Sequence, residues 1–200
     1  MSLIPIKLNK SNVNFSWKVT TKPSLEPVTN DEVKLYARID GSSEDDLIDS
    51  FIQAVREATE KYIGRALITQ SITASFDAWF SDKIELPRPP LQSVTEVRTV
   101  DEELTETPYD SGQYYVQTKQ EPGSLVIKSG STPPDNTDRY SGGYEIEFVA
   151  GYGDSPDDVP NAIKTGITMW VAEIYENRVP ISEPPGIVKT ILAPFIIINV

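Results

Sequence analysis

Near Ala66 the spacing of apolar residues changes from a helical to an alternating period, and that change limits the chain to folds that mix helices with sheet. Before it, Leu47, Phe51, Val55, Ala58 and Tyr62 recur at helical spacing through "EDDLIDSFIQAVREATEKYIG", and Ile48 and Ile52 widen the stripe. Ser43 stands where an N-cap belongs, three acids fill the first turn where the helix dipole favours them, and Gly64 marks the stop. After it, Ile72, Ala74, Phe76, Ala78 and Phe80 alternate with Thr73, Ser75, Asp77 and Trp79, the pattern of a half-buried strand.

Further strands are predicted at 93–100, 113–118, 124–128 and 144–152, with Pro, Gly, Asp and Ser clusters between them. Upstream, "VTNDEVKLYARID" predicts a short helix ending near Asp40-Gly41, with Thr29 and Glu32 spaced as a capping box. Downstream, Pro160 fits a first helical position, and Ile163, Ile167, Trp170, Val171, Ile174 and Tyr175 form the apolar face of another helix. The expected fold is α+β: a small helical bundle of three main helices, an antiparallel β region inserted between the second and third, and extended N- and C-terminal arms. The expected boundaries are a basic arm at 1–27, a helical part at 28–65, the β region at 66–152, the third helix at 153–179 and a C-terminal docking tail at 180–200.

Two hundred residues, 38% hydrophobic and 24% charged, suit one globular domain with a subdomain. The chain has no Cys and no His, which excludes zinc fingers, Cys or Ser-His nucleophiles and disulfides. A net charge of -12 argues against tight binding to a phosphate backbone. The charge is uneven: residues 1–25 contain Lys7, Lys10, Lys18 and Lys22 and no acid, so a basic arm precedes an acidic body. That arm is expected either to reach an acidic neighbour, a second copy included, or to be a solvated leader. No apolar run near the start reads as a secretory signal, and a cytoplasmic protein is expected.

The short motifs carry little chemistry. "DGSSEDD" begins like a calcium loop, but Asp45 and Phe51 stand where Gly and a bidentate Glu are required. Asp154, Asp157 and Asp158 suit a helix cap better than a cation site, and "GYGDSP" lacks the third glycine of a dinucleotide fingerprint. "LPRPPL" has a PxxP spacing and reads as a rigid link between strands. Carboxylate pairs of the glycosidase kind stay open, because 30 acids give no indication of which converge.

The C-terminus, "ILAPFIIINV", has Asn199 as its one polar side chain, is far shorter than a membrane span, and is interrupted by Pro194. "GIVKTILA" fits one or two helical turns, and the β-branched "FIIINV" suits a strand. Burial of Phe195, Ile196, Ile197 and Ile198 would contribute roughly 1.5–3 kcal/mol each. Ordering the backbone from Phe195 onward costs about 1–2 kcal/mol per residue, so the two nearly cancel. The tail is therefore expected to order on a partner that supplies strand hydrogen bonds and many copies at once; the alternative is that it folds back on its own third helix.

Five blocks in order, "EPVTNDEVKLYARID", "AVREATEKYIGRALITQS", "IELPRPPLQSVTEV", "VAGYGDSPDDVPNAIK" and "VAEIYENR", resemble the head-tail connector proteins of long-tailed bacteriophages and prophages, also called adaptor or head-completion proteins. The resemblance runs from about residue 20 to 178. It implies a structural subunit without catalytic residues or cofactor, made in the bacterial host cytoplasm and resident in the virion neck. It also implies a homo-oligomeric ring, commonly a dodecamer, beneath the portal protein, with a stopper or tail-terminator on the distal side and genomic DNA passing through. Within that reading Ile187, Val188, Ile191, Leu192, Phe195, Ile196, Ile197 and Ile198 are expected to meet the portal or an adjacent subunit, and Lys7, Lys10, Lys18 and Lys22 to form an intersubunit arm. A small carboxylate-based enzyme and another neck component, a stopper or tail terminator, are the alternatives.

Overall fold

The computed structural model describes residues 14–135, 137–178 and 183–197. The chain divides into two compact units, one comprising residues 1–22 with 70–150 and the other residues 23–69 with 151–200. The fold is α+β, with four α-helices and two antiparallel sheets among the described residues.

The helical unit contains α1 (Asn30–Ala37), α2 (Asp45–Ile63), α3 (Asn161–Asn177) and α4 (Gly186–Leu192). The capping box at α1 is present: the Glu32 amide donates to Thr29 Oγ1 at 3.2 Å, and the Thr29 amide donates to Glu32 Oε2 at 2.7 Å. That helix stops at Ala37, earlier than expected, because Arg38 takes a left-handed cap conformation and donates to the Lys34 carbonyl. Ser43 is not the cap of α2; Glu44 holds that position, and its side chain accepts from the Tyr175 hydroxyl rather than from an amide of the helix. Gly64 closes α2 in the left-handed conformation, as its position predicted.

Val33, Ile48, Ile52, Val55, Ile63, Ile163, Ile167, Trp170, Val171 and Ile174 form the core of this unit, with α3 packed against α1, α2 and α4. Leu47, read as part of the inner stripe, is exposed, and Ile48 and Ile52 carry the core instead. Gly166 sits where α3 faces α4: a Cβ there would lie 3.4 Å from Leu192 Cδ2 and 3.6 Å from Val188 Cγ1, in ordinary contact with both. Buried Arg56 bonds Glu26 at 2.7 Å and Glu60 at 3.0 Å, while Glu60 also accepts from the Leu67 amide at 2.9 Å. Burial raises the pKa of Glu26 against the opposing pull of Arg56.

The β unit contains β1 (Phe15–Thr21), β2 (Gln70–Phe76), β3 (Lys83–Glu85), β4 (Leu91–Val100), β5 (Glu106–Pro108), β6 (Tyr114–Gln117), β7 (Ser124–Ile127) and β8 (Tyr144–Ala150). One sheet has the order β1-β2-β8-β4-β5 and the other β3-β7-β6, with every pair antiparallel. Ile72, Ala74 and Phe76 of β2 share a buried face with Ile146 and Phe148 of β8, the alternation read from the sequence. The strand ends at Phe76 rather than Phe80. Asp77 turns the chain there, its carboxylate accepting from the Ser141 hydroxyl and the Gly142 amide, each at 2.8 Å. Phe15–Thr21, read as part of an extended arm, is the edge strand beside β2.

Candidate partner-binding surfaces

The C-terminal segment is built onto the helical unit. Pro185 precedes α4, and one face of that helix turns Val188 and Leu192, 1% and 0% exposed, into the core. Two residues expected to face a partner therefore face the chain's own α3, which is the fold-back arrangement. The helical period puts Ile187 and Ile191 on another side: Ile187 is 57% exposed and Ile191 half-buried. Ala193–Phe195 is a 3-10 turn rather than the start of a strand. Phe195 and Ile196 pack on the core edge. The Ile197 amide donates to the Ile63 carbonyl at 2.9 Å, satisfying one of the acceptors that the end of α2 leaves open. Ile198 lies outside the described residues.

Arg65, buried and not anticipated from sequence, secures this segment. Its Nε donates to the Phe195 carbonyl at 2.6 Å, and its guanidinium stands 6.0 Å from the Tyr152 ring centroid. No local signal marks this residue, since its partner is 130 positions away.

The β unit carries the other surface. Lys18 lies in exposed β1 and Lys22 just beyond it, whereas Lys7 and Lys10 lie outside the described residues. Phe15, Trp17 and Val19 alternate with Ser16, Lys18 and Thr20 and are 41%, 38% and 39% exposed, respectively. They continue the apolar face of β2, with Phe15 opposite Phe76 and Val19 opposite Ile72. Arg88 lies 4.5 Å from the Trp17 ring centroid.

At the opposite edge, β4 and β5 are joined by an acidic turn containing Asp101, Glu102 and Glu103, with Glu106 opening β5. Asp101 Oδ1 accepts from the Thr105 amide at 2.7 Å, and Leu104 projects from the turn at 68% exposure with φ +66°. Across the polar face of the sheet, Arg98 gathers Glu145 at 2.6 Å, Glu96 at 2.8 Å, and Glu147 and Glu106 at 3.4 Å. Burial opposes the charge of Arg98, but its bonds to Glu96 and Glu145 and the neighbouring negative charge outweigh that and raise its pKa. These carboxylates converge on a cation, an arrangement that holds strands together. Among the described residues no group of His, Cys, Asp and Glu has the arrangement to hold a metal ion, and no helix is long and apolar enough to cross a membrane.

A family model described as "Head completion protein" matches residues 26–181. No curated protein matches the chain. Among solved structures, a chain from the neck of an empty gene transfer agent particle, computed with C6 symmetry, superimposes with a TM-score of 0.79 at 22% identity, covering 92% of this chain and 97% of that one. A chain from the virion of a native gene transfer agent particle gives 0.77 at 23% identity, covering 92% and 96%. A chain from the neck of the native particle, computed with C12 symmetry, gives 0.72 at 22%, covering 92% and 97%.

Proposed function

The chain belongs to the head completion protein family, and from that premise we propose that it is a structural subunit of the neck between a phage-type capsid and its tail. The observation that carries this reading is the coincidence of two matches over most of the chain: the family model and the fold of chains found in particle necks. The role is architectural, without catalysis. Copies form a ring beneath the portal, and the C6 and C12 symmetries of the similar necks favour six or twelve positions around the axis. The adaptor position in particular, with the portal on one side and a stopper or tail terminator on the other, rests on the block pattern of the sequence.

In that ring the α4 surface at Ile187 and Ile191 meets the portal or an adjacent subunit, with Phe195, Ile196 and Ile197 joining the contact if the Arg65 latch opens. Val188 and Leu192 support it from behind. DNA passes through the lumen without being gripped, because a chain with net charge -12 repels phosphate. The test is a particle preparation from a genome lacking this gene. Filled heads and free tails that fail to join, rescued by supplying the chain, are expected; normally tailed particles would overturn the proposal.

A further inference from the structure

We infer that subunits join head to tail through the two edges of the five-stranded sheet, the acidic β4–β5 turn of one copy docking against the basic, apolar β1 edge of a second copy. The inference rests on the ring reading above and specifies its interface. The two edges are complementary in charge: β1 contains Lys18 and no acid, and residues 101–106 contain four acids and no base. They are also complementary in shape chemistry, since Leu104 projects among those acids and β1 offers Phe15, Trp17 and Val19.

Within one copy these edges cannot meet. Three strands separate β1 from β5, which at about 4.8 Å per strand spacing places them roughly 19 Å apart. The row Phe15–Phe76–Tyr144–Thr99–Thr107 crosses the whole sheet, so the acidic turn stands at the Phe15 end of β1, level with the surface it would meet in the next copy. Among the described residues β1 pairs with β2 alone, and its outer N–H and C=O groups are available to a neighbour. Leu104 holds a left-handed backbone conformation that residues other than glycine seldom occupy, fixed by Asp101 on both sides of the turn: the Leu104 amide donates to the Asp101 carbonyl at 3.2 Å and the Thr105 amide to its carboxylate. A contact between two different edges is heterologous, and when the rotation between copies closes it generates a ring.

The absence of native cysteine gives a clean test. In full-length chain assembled with its portal, Ser16→Cys and Glu103→Cys are introduced singly and together and treated with a short bismaleimide. A mixture of the two single variants should cross-link to each other, neither should link to itself, and the double variant should give a ladder of multimers. Lys18→Glu should weaken assembly about tenfold, one favourable contact having become repulsive, and Glu103→Lys in the same chain should restore it. If the unmodified chain forms its ring but no cross-link or ladder appears, the edge contact is overturned and the ring reading stands. Linking of Ser16→Cys to itself would replace it with a symmetric contact. An unmodified chain that stays monomeric with its portal would remove the ring reading itself.

Discussion

Arg56 is a buried cation at the centre of the helical unit's ion pairs, bonded to Glu26 and Glu60. Its guanidinium bonds Glu60, which is 5% exposed and tied to the Leu67 amide, so truncation takes one cation away from a buried carboxylate. Arg56→Ala should destabilise the protein by about 3 kcal/mol, read from urea unfolding. Glu32 gives a pH signature. Its bond from the Thr29 amide, opposed by burial and aided by the Thr29 hydroxyl and Lys164, holds its pKa below the usual carboxylate value of 4.5. A carboxyl depressed by folding adds stability that is present above 4.5 and is lost as pH falls through the lower, folded value. Glu32→Gln should flatten that acid limb while leaving the slope above pH 6 unchanged. A limb identical to that of the unmodified chain would show that the capping box is not formed in solution.

At the scale of elements, α4 is held by its inward residues. Leu192→Ala removes a fully buried side chain facing Gly166 and should cost about 2–4 kcal/mol. It should also speed amide exchange at Ile197, whose partner is the Ile63 carbonyl; unchanged exchange there would show that α4 does not hold the tail. The sequence revealed α2, α3 and β2 because periodicity is a local property, and Ile48, Ile52, Ile163 and Ile167 declare their face through their neighbours alone. It concealed β1, since Phe15, Trp17 and Val19 make too short an alternation beside a lysine-rich, proline-flanked stretch. That segment is a strand because the distant β2 presents an edge to it. In "FIIINV" propensity favours a strand, but at Phe195–Ile197, the described part, Phe195 meets Arg65 and Ile197 meets the end of α2, and these tertiary partners decide the local conformation. The helical period of α4 was legible in sequence, whereas the side of it that α3 covers was not.

For the whole molecule, assembly through the proposed sheet edges should depend on salt as well as shape. A ring joined by charged sheet edges should weaken as ionic strength rises from about 0.05 to 0.5 M, where screening shortens from over 10 Å to a few Å. The α4 contact, being apolar at Ile187, should be less sensitive. The central claim, that the chain is a ring-forming neck subunit, is tested most directly by the mass of the full-length protein, alone and mixed with its portal, measured by light scattering. The account predicts a discrete complex on the portal whose added mass is six or twelve copies of a 22.2 kDa subunit. A 22.2 kDa monomer in both samples would contradict it.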